Sequence, residues 1–569
     1  MSGLTRTKFL SSCLVALALL TGCGSEKAER PVASQETVRT VTGGQVIGFA
    51  EEGVDKWRGI PFAASTEGDN RWRAPRPVPG WSGVREAIDA APRCPQLTNA
   101  FDKNYGLEPG IVVGSEDCLK LDVTAPDNTS EGGLPVMVWI HGGSNIWGFA
   151  DQFDMTRFVA NEKVVVVSVQ YRLGPLGWFA HQALREDAQV PDDAAASFAI
   201  LDLVAALKWV QANIAAFGGD PANVTLFGQS SGGHNIAALL VSPKADSLFH
   251  KAIIESGFFD SISLADAEGV SGDEENSAMH IEAEFGAGTA DALRAVPLEK
   301  LFAAYKPDNG FYYMPVVISD GVALPVTPVR DALNSQASFN AVPLIIGTNR
   351  DEMKLFLPFD EKLATKRFWL FPVARDQAVY DLTAEYLTRL WRIRSLDQPI
   401  ASMDRAGGNK VYAYRFDWDD GGSLLFTDTQ KLFGAAHSFD IPFVLNEFLL
   451  FGVKNDTLFS SDTADDRDHL SRAMGRYWSS FARTGIPHAE GSPDWPAFTA
   501  EQPRFLRFDT PNDDGITVEE GMDDYETLVD ELVADSRLDD TQRCHIVAHL
   551  AIWNFTRPLY KEIKRRTGC

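Results

Sequence analysis

Val224-Thr225-Leu226-Phe227-Gly228-Gln229-Ser230-Ser231-Gly232 is the stretch on which the reading of this chain turns. Val224 to Phe227 is a short β-branched and aromatic run that reads as a buried strand, and an apolar helical run follows Gly232. A strand that turns into a helix over so few residues needs a very tight bend, and glycine at both flanks, Gly228 and Gly232, tolerates the crowding. Such a bend thrusts the Ser230 hydroxyl clear of the sheet, and the helix behind it brings positive dipole to where an oxyanion would develop. The pattern Gly-x-Ser-x-Gly is weak alone; its place between strand and helix makes Ser230 a candidate nucleophile.

Outward from this turn, Val136 to Ile140, Val164 to Tyr171, Lys251 to Glu255, Val342 to Gly347 and Val411 to Phe416 are further apolar runs bounded by Gly, Pro, Asn or Asp. Near-continuous apolar strands suit a parallel sheet covered on both faces. Between them, Ala194 to Ala216 sets Phe198, Leu201, Ala205, Leu207 and Trp209 at helical spacing, and Gly218-Gly219 with Pro221 ends it. Strand and crossover helix in alternation predict a doubly wound α/β fold. Residues 260 to 335 and 360 to 405 lack clear strands and read as helical insertions near the strand ends, where site walls are often built. The chain turns acidic from Asp513 to Asp540 and regains an apolar period from Cys544 to Lys561, which predicts a C-terminal helix on the body. No fixed-period repeat, zinc-type cysteine ladder or phosphate-binding Gly-x-x-x-x-Gly-Lys is present.

A serine hydroxyl at neutral pH needs a base, and the base must be a histidine held by a carboxylate. Where the acid follows a later strand and the histidine comes last, Asn349-Arg350-Asp351-Glu352 falls in the acid's place after the Val342 to Gly347 run. His437 lies in Gly434-Ala435-Ala436-His437-Ser438, a small-residue loop beyond the Val411 to Phe416 run. The third need is a pair of backbone N–H groups facing the oxyanion. His141-Gly142-Gly143-Ser144 follows the Val136 to Ile140 run and supplies such a loop, and Ser231 supplies the turn's own donor.

These residues, with Trp57 to Ala63, Arg71 to Pro75, Cys94-Pro95-Gln96, Ser115 to Leu119, Gln170 to Gly174, Phe217 to Pro221 and Asp494-Trp495-Pro496, resemble the type-B carboxylesterases, the family that includes the cholinesterases, over most of residues 40 to 508. The resemblance implies an α/β-hydrolase with a large, mostly parallel central sheet, helices on both faces and helical insertions around the site. It implies hydrolysis of small-molecule carboxylic esters through an acyl-enzyme, with Ser230, Glu352 (not Asp351) and His437 as the triad and no cofactor. Gly143, Ser144 and Ser231 would be the oxyanion donors, Ser256 the support of the triad acid, and Cys94–Cys118 a disulfide. Three departures bear on substrate. Ser144 stands where the family more often has Gly or Ala; Gln229 replaces the Glu that precedes the nucleophile in cholinesterases; the Cys94 to Cys118 loop holds no Trp. A choline head group thus loses a charge and a π face, so choline esters are not expected as main substrates. Trp147, Trp178, Phe356 and Phe433 are candidates to line the pocket, and His234 reads as structural. Rival readings are an inactive adhesion or binding relative, whose mark would be a lost triad residue, and an amidase or a hydrolase of a specialised natural ester.

The N-terminus reads as an export signal over residues 1–22: Arg6 and Lys8, an apolar run from Phe9 to Leu20, then Leu20-Thr21-Gly22-Cys23. The run is too short to span a bilayer, and Cys23 is the expected lipidation site. Residues 23–36 would be a lipidated flexible tether and 37–569 a single catalytic domain, held in the cell envelope through lipid alone. Export permits disulfides. Of the three pairings open to Cys94, Cys118, Cys544 and Cys569, the local one, Cys94–Cys118 with Cys544–Cys569, closes the shortest segments. The formal net charge is −26, and cleavage of the signal removes two bases and no acid; nucleic acid is an improbable partner for so acidic a chain. His545 and His549 lie one helical turn apart, but with no third ligand evident in sequence they read as surface or packing residues, and no metal is expected.

Overall fold

Side chains alternate across a strand, so a sheet whose strands are apolar at every position must be buried on both faces. The computed structural model describes residues 30–127, 132–270, 277–304, 316–368, 371–407, 409–553 and 557–569. The export signal and Cys23 lie outside the described residues. Among the described residues the main sheet has eleven strands. In chain order they are β1 (Phe49–Glu51), β2 (Val54–Pro61), β3 (Lys120–Pro126), β4 (Leu134–Ile140), β5 (Val165–Val169), β6 (Gly219–Gln229), β7 (Lys251–Glu255), β8 (Leu344–Asn349), β9 (Val411–Phe416), β10 (Arg504–Phe508) and β11 (Thr517–Glu520). Across the sheet they run β11-β10-β9-β8-β7-β6-β4-β5-β3-β2-β1. The stretch from β10 to β5 is parallel throughout. The edges are antiparallel, with β11 beside β10 on one side and β3, β2 and β1 on the other. The sheet is therefore mixed, with the expected parallel centre.

Alternation sorts the core into two layers. Val136, Val138 and Ile140 of β4 and Leu226 of β6 join one hydrophobic cluster with the helices α1 (Phe198–Asn213) and α2 (Ser231–Val241). Met137 and Trp139 of β4 and Phe227 of β6 join the other, with α3 (Gln377–Arg392) and α4 (Ala464–Thr484). This is the doubly wound α/β fold that the alternation of runs predicts, in the α/β-hydrolase form that the resemblance implies. Phe198–Phe217 is apolar and long enough to cross a membrane by composition, yet it is mostly buried as the crossover helix and its continuation.

Three details differ from the sequence reading. The 360 to 405 insertion carries a hairpin, Ala364–Arg367 with Phe371–Ala374, ahead of α3. The C-terminal extension is several helices rather than one: α5 (Tyr525–Ala534), α6 (Asp540–Trp553) and α7 (Arg557–Thr567). Residues 30–37, at the end of the expected tether, lie on the body: Arg30 pairs with Glu86 and Asp89, Ser34 N–H donates to the Gly48 carbonyl, and Thr37 is buried. Both disulfides form in the local pairing, Cys94–Cys118 and Cys544–Cys569.

Candidate active site

The turn between β6 and α2 holds Ser230 at φ 58°, ψ −124°, a backbone state that L-residues seldom occupy. The flanking glycines are required by packing: a Cβ on Gly228 would stand 2.5 Å from the Ile140 carbonyl oxygen, and one on Gly232 would stand 2.0 Å from it. The strain is held by the sheet, because Ser230 N–H donates to the Glu255 carbonyl of β7 at 2.8 Å and His234 N–H donates to the Ser230 carbonyl at 3.0 Å. The His234 imidazole bonds the Asp260 carbonyl at 2.6 Å, in keeping with a structural role.

Glu352 follows β8 and is fully buried. Its Oε2 lies 2.5 Å from His437 Nδ1, while Oε1 accepts from Ser256 Oγ at 2.5 Å, Thr348 Oγ1 at 2.7 Å and the Asn349 N–H at 2.8 Å. The histidine loop is tied to the acid's segment as well, with His437 N–H donating to the Glu352 carbonyl at 3.3 Å. Asp351, the neighbouring acid, points elsewhere: its carboxylate takes hydrogen bonds from Arg350 and from the Ala435 N–H. Of the two acids after β8, it is Glu352 that meets His437.

Ser230 and His437 are not joined by a hydrogen bond among the described residues. Instead the Gln229 amide nitrogen stands 3.1 Å from His437 Nε2 and 3.4 Å from Nδ1, and the amide oxygen accepts from Ser438 Oγ at 3.1 Å. With Nδ1–H directed at Glu352, Nε2 carries the lone pair, which is what an amide N–H seeks.

The loop after β4 runs against the turn. Gly143, Ser144 and Asn145 all have positive φ, at 105°, 56° and 60°, and a Cβ on Gly142 would come within 3.2 Å of the Ser230 Cβ. Asn145 N–H donates to Ser231 Oγ at 3.0 Å, locking loop to turn. No hydrogen bond among the described residues uses the N–H of Gly143, Ser144 or Ser231. His141 stacks on Tyr171 with ring centroids 4.4 Å apart, and burial lowers its imidazole to about 4, so it stays neutral beside this loop. The segment between Cys94 and Cys118 braces the same loop: Gln96 bonds Gly148 N–H and carbonyl, each at 3.0 Å, and Trp147 Nε1 donates to Asp102 at 2.9 Å.

Of the four aromatic candidates, Phe356 lies 5.5 Å from the His437 ring and Trp147 adjoins the Gly143 loop. Trp178 and Phe433 are buried in the two core layers. Sequence reading missed Trp391 of α3, whose ring lies 4.9 Å from His437, and the Thr348 and Asn349 bonds to Glu352. No signal marks a tryptophan in a helical insertion as a neighbour of the site. Thr348 and Asn349, by contrast, close the very strand that leads to the acid. One reading about the C-terminus is corrected: His545 and His549 do have a third group beside them, Asp360.

The chain matches the carboxylesterase family over residues 34–369 and 371–526. It is 34% identical over 493 residues to the para-nitrobenzyl esterase of Bacillus subtilis, covering 82% of this chain and 94% of that one. It is 33% identical to the human cocaine esterase, over 86% of this chain and 90% of that protein. Among solved structures, a para-nitrobenzyl esterase superimposes with a TM-score of 0.66 at 31% identity, over 85% of this chain and 97% of its own. A Geobacillus stearothermophilus carboxylesterase gives a TM-score of 0.66 at 29% identity, over the same 85% and 97%. With this sheet, this turn and these relatives, the chain belongs to the carboxylesterase family of carboxylic-ester hydrolases.

Proposed function

We propose that the enzyme cleaves small, neutral carboxylic esters through an acyl-enzyme on Ser230. His437 Nε2 takes the Ser230 proton as Oγ attacks the ester carbonyl, and Glu352 orients the ring and stabilises the imidazolium. The N–H groups of Gly143, Ser144 and Ser231 receive the oxyanion, each worth about 2.7–4 kcal/mol in such sites. The alcohol leaves with the proton from His437, and water repeats the cycle on the acyl-enzyme. For the first step the Gln229 amide must yield Nε2 to Ser230 Oγ. Ser256 acts through Glu352, as a positioning residue.

The observation that carries this reading is the buried Glu352–His437 pair at 2.5 Å, whose ring is met at 3.1 Å by Gln229, the residue before a serine held at φ 58° between strand and helix. Substrate class follows from the neighbours of the ring. The aromatic rings of Phe356 and Trp391 offer apolar surface to an acyl or alcohol group, and the neutral amide at Gln229 offers a cationic head group no opposite charge. The test is a panel of p-nitrophenyl esters of rising acyl length, choline esters and anilides, run on wild type and Ser230→Ala. Short esters turned over by wild type alone support the reading; equal turnover by both proteins removes Ser230 from it, and fast choline-ester turnover overturns the argument from Gln229.

We further propose that residues 1–22 direct export and that Cys23 is lipidated, which would tether residues 37–569 to the cell envelope as one catalytic domain. The support is the Leu20-Thr21-Gly22-Cys23 sequence after a short apolar run. Detergent-phase partitioning that is lost in Cys23→Ser supports this; partitioning unchanged by that substitution overturns it.

A further inference from the structure

Away from the site, the C-terminal helix α6 presents His545 and His549 one turn apart on the same face, toward Asp360. His545 Nε2 lies 3.2 Å from Asp360 Oδ2, His549 Nε2 lies 2.7 Å from the same oxygen, and the two Nε2 atoms are 3.2 Å apart. Three Lewis bases thus converge on one point from positions 185 and 189 residues apart in sequence. Zinc binds imidazole nitrogen and carboxylate oxygen at about 2.0–2.2 Å in a tetrahedron, whose edges are then about 3.3 Å. Two of the three separations, at 3.2 Å, match that edge, and the third, at 2.7 Å, is short of it by about 0.6 Å, so His549 and Asp360 would part slightly as an ion enters.

The surroundings have the other features a metal site needs. Asp360 Oδ1 accepts from the Lys362 N–H at 2.8 Å, which fixes the carboxylate with Oδ2 toward the imidazoles. The three side chains are 7–17% exposed, so they are partly desolvated yet reachable. His545 also lines an open groove with Leu363, Val379, Thr541 and Ala548, which gives an ion a path in. Two imidazoles and one carboxylate suit zinc or a similar first-row divalent cation, whereas calcium and magnesium seek all-oxygen shells.

We propose that Asp360, His545 and His549 form a three-ligand site for a zinc-class divalent cation, with water completing the tetrahedron, and that the ion clamps the C-terminal extension to the body. The placement gives the clamp a purpose. Asp360 closes the short helical segment that begins at Glu352 and carries Phe356, while His545 adjoins Cys544, which is bridged to Cys569. Metal and disulfide together would pin α6 and α7 against the segment behind the catalytic acid. The competing account of the same geometry is ion pairing alone, with both imidazoles donating to one carboxylate oxygen.

The experiment uses the full chain without a polyhistidine tag, stripped with chelator and titrated with Zn2+ by calorimetry, and separately with Co2+ by visible absorption. It compares wild type with Asp360→Asn and with the double variant His545→Gln, His549→Gln. Expected are one equivalent of Zn2+ on wild type, intense cobalt bands of tetrahedral type, and a Tm raised by several degrees on Zn2+ addition. Asp360→Asn should weaken binding tenfold or more, and the double variant should lose both the bound ion and the Tm response. Esterase activity of the double variant at moderate temperature reports that it is folded. Equal Zn2+ uptake by wild type and the folded double variant, or a wild-type Tm indifferent to Zn2+, would overturn the proposal in favour of ion pairing.

Discussion

His437 Nδ1 and Glu352 Oε2 stand 2.5 Å apart, and among the described residues every other hydrogen bond to that carboxylate falls on Oε1, from Ser256, Thr348 and Asn349. One oxygen is thus left for the imidazole and the other is fastened to the scaffold. Glu352→Gln offers His437 an amide in place of the charge and permits the wrong tautomer; kcat should fall on the order of 10^4-fold with KM little changed. Ser256→Ala removes one bond to a charged group, about 1.5 kcal/mol or roughly tenfold in kcat/KM. Steady-state kinetics on one short p-nitrophenyl ester checks both.

Gln229 sits where a charge introduced at its position would act on the His437 ring. Its amide nitrogen lies 3.1 Å from His437 Nε2, so Gln229→Glu would set a carboxylate against the ring and favour the imidazolium. The base must be neutral to accept the serine proton, so the acid limb of the kcat/KM profile should move to higher pH by about one unit or more. An unmoved limb would contradict the contact.

Gly143 carries no room for a side chain. A Cβ there would stand 2.0 Å from the Trp147 carbonyl oxygen, at φ 105°. Gly143→Ala should therefore displace the loop and cost its donor, lowering kcat on the order of 100- to 1000-fold. Circular dichroism and an unchanged Ser230 phosphonylation site would show that the fold survives.

Behind the site, burial and then the charge of Glu352 push Asp440 up to about 6, and its neighbours are the Tyr414 hydroxyl at 2.9 Å and the Asn349 amide at 3.3 Å. The folded state here binds its proton more tightly than the unfolded chain does. The associated stability is full below the ordinary carboxylate range and is lost as pH rises through about 6. Asp440→Asn should flatten this contribution: the Tm difference between wild type and variant should shift in the variant's favour from pH 5 to pH 8. A constant difference across that range would contradict it.

How much of this was legible in sequence follows from what each element must bury. The parallel strands β4 to β9 announce themselves because both faces are covered, which leaves unbroken apolar runs. β2 and β3, Val54–Pro61 and Lys120–Pro126, interrupt their apolar positions with Asp, Lys, Arg and Thr; β11 alternates half-buried and exposed residues. Without a contiguous apolar signal these edges were not read as strands. The turn glycines and both disulfides followed from local pattern, whereas Glu352 in preference to Asp351 rested on the family resemblance. What did not follow are contacts made only by folding: Trp391 beside His437, the Gln229 amide on the ring, and Asp360 facing two histidines from a distant loop.

The most direct test of the account is intact-protein and peptide mass spectrometry after brief treatment with an organophosphonate ester. One adduct should form on wild type, map to the peptide holding Gly228 to Gly232 at Ser230, and abolish ester turnover in step with labelling, while Ser230→Ala takes up none. An adduct elsewhere that abolishes activity, or a Ser230→Ala enzyme that still turns over short esters at the wild-type rate, would contradict it.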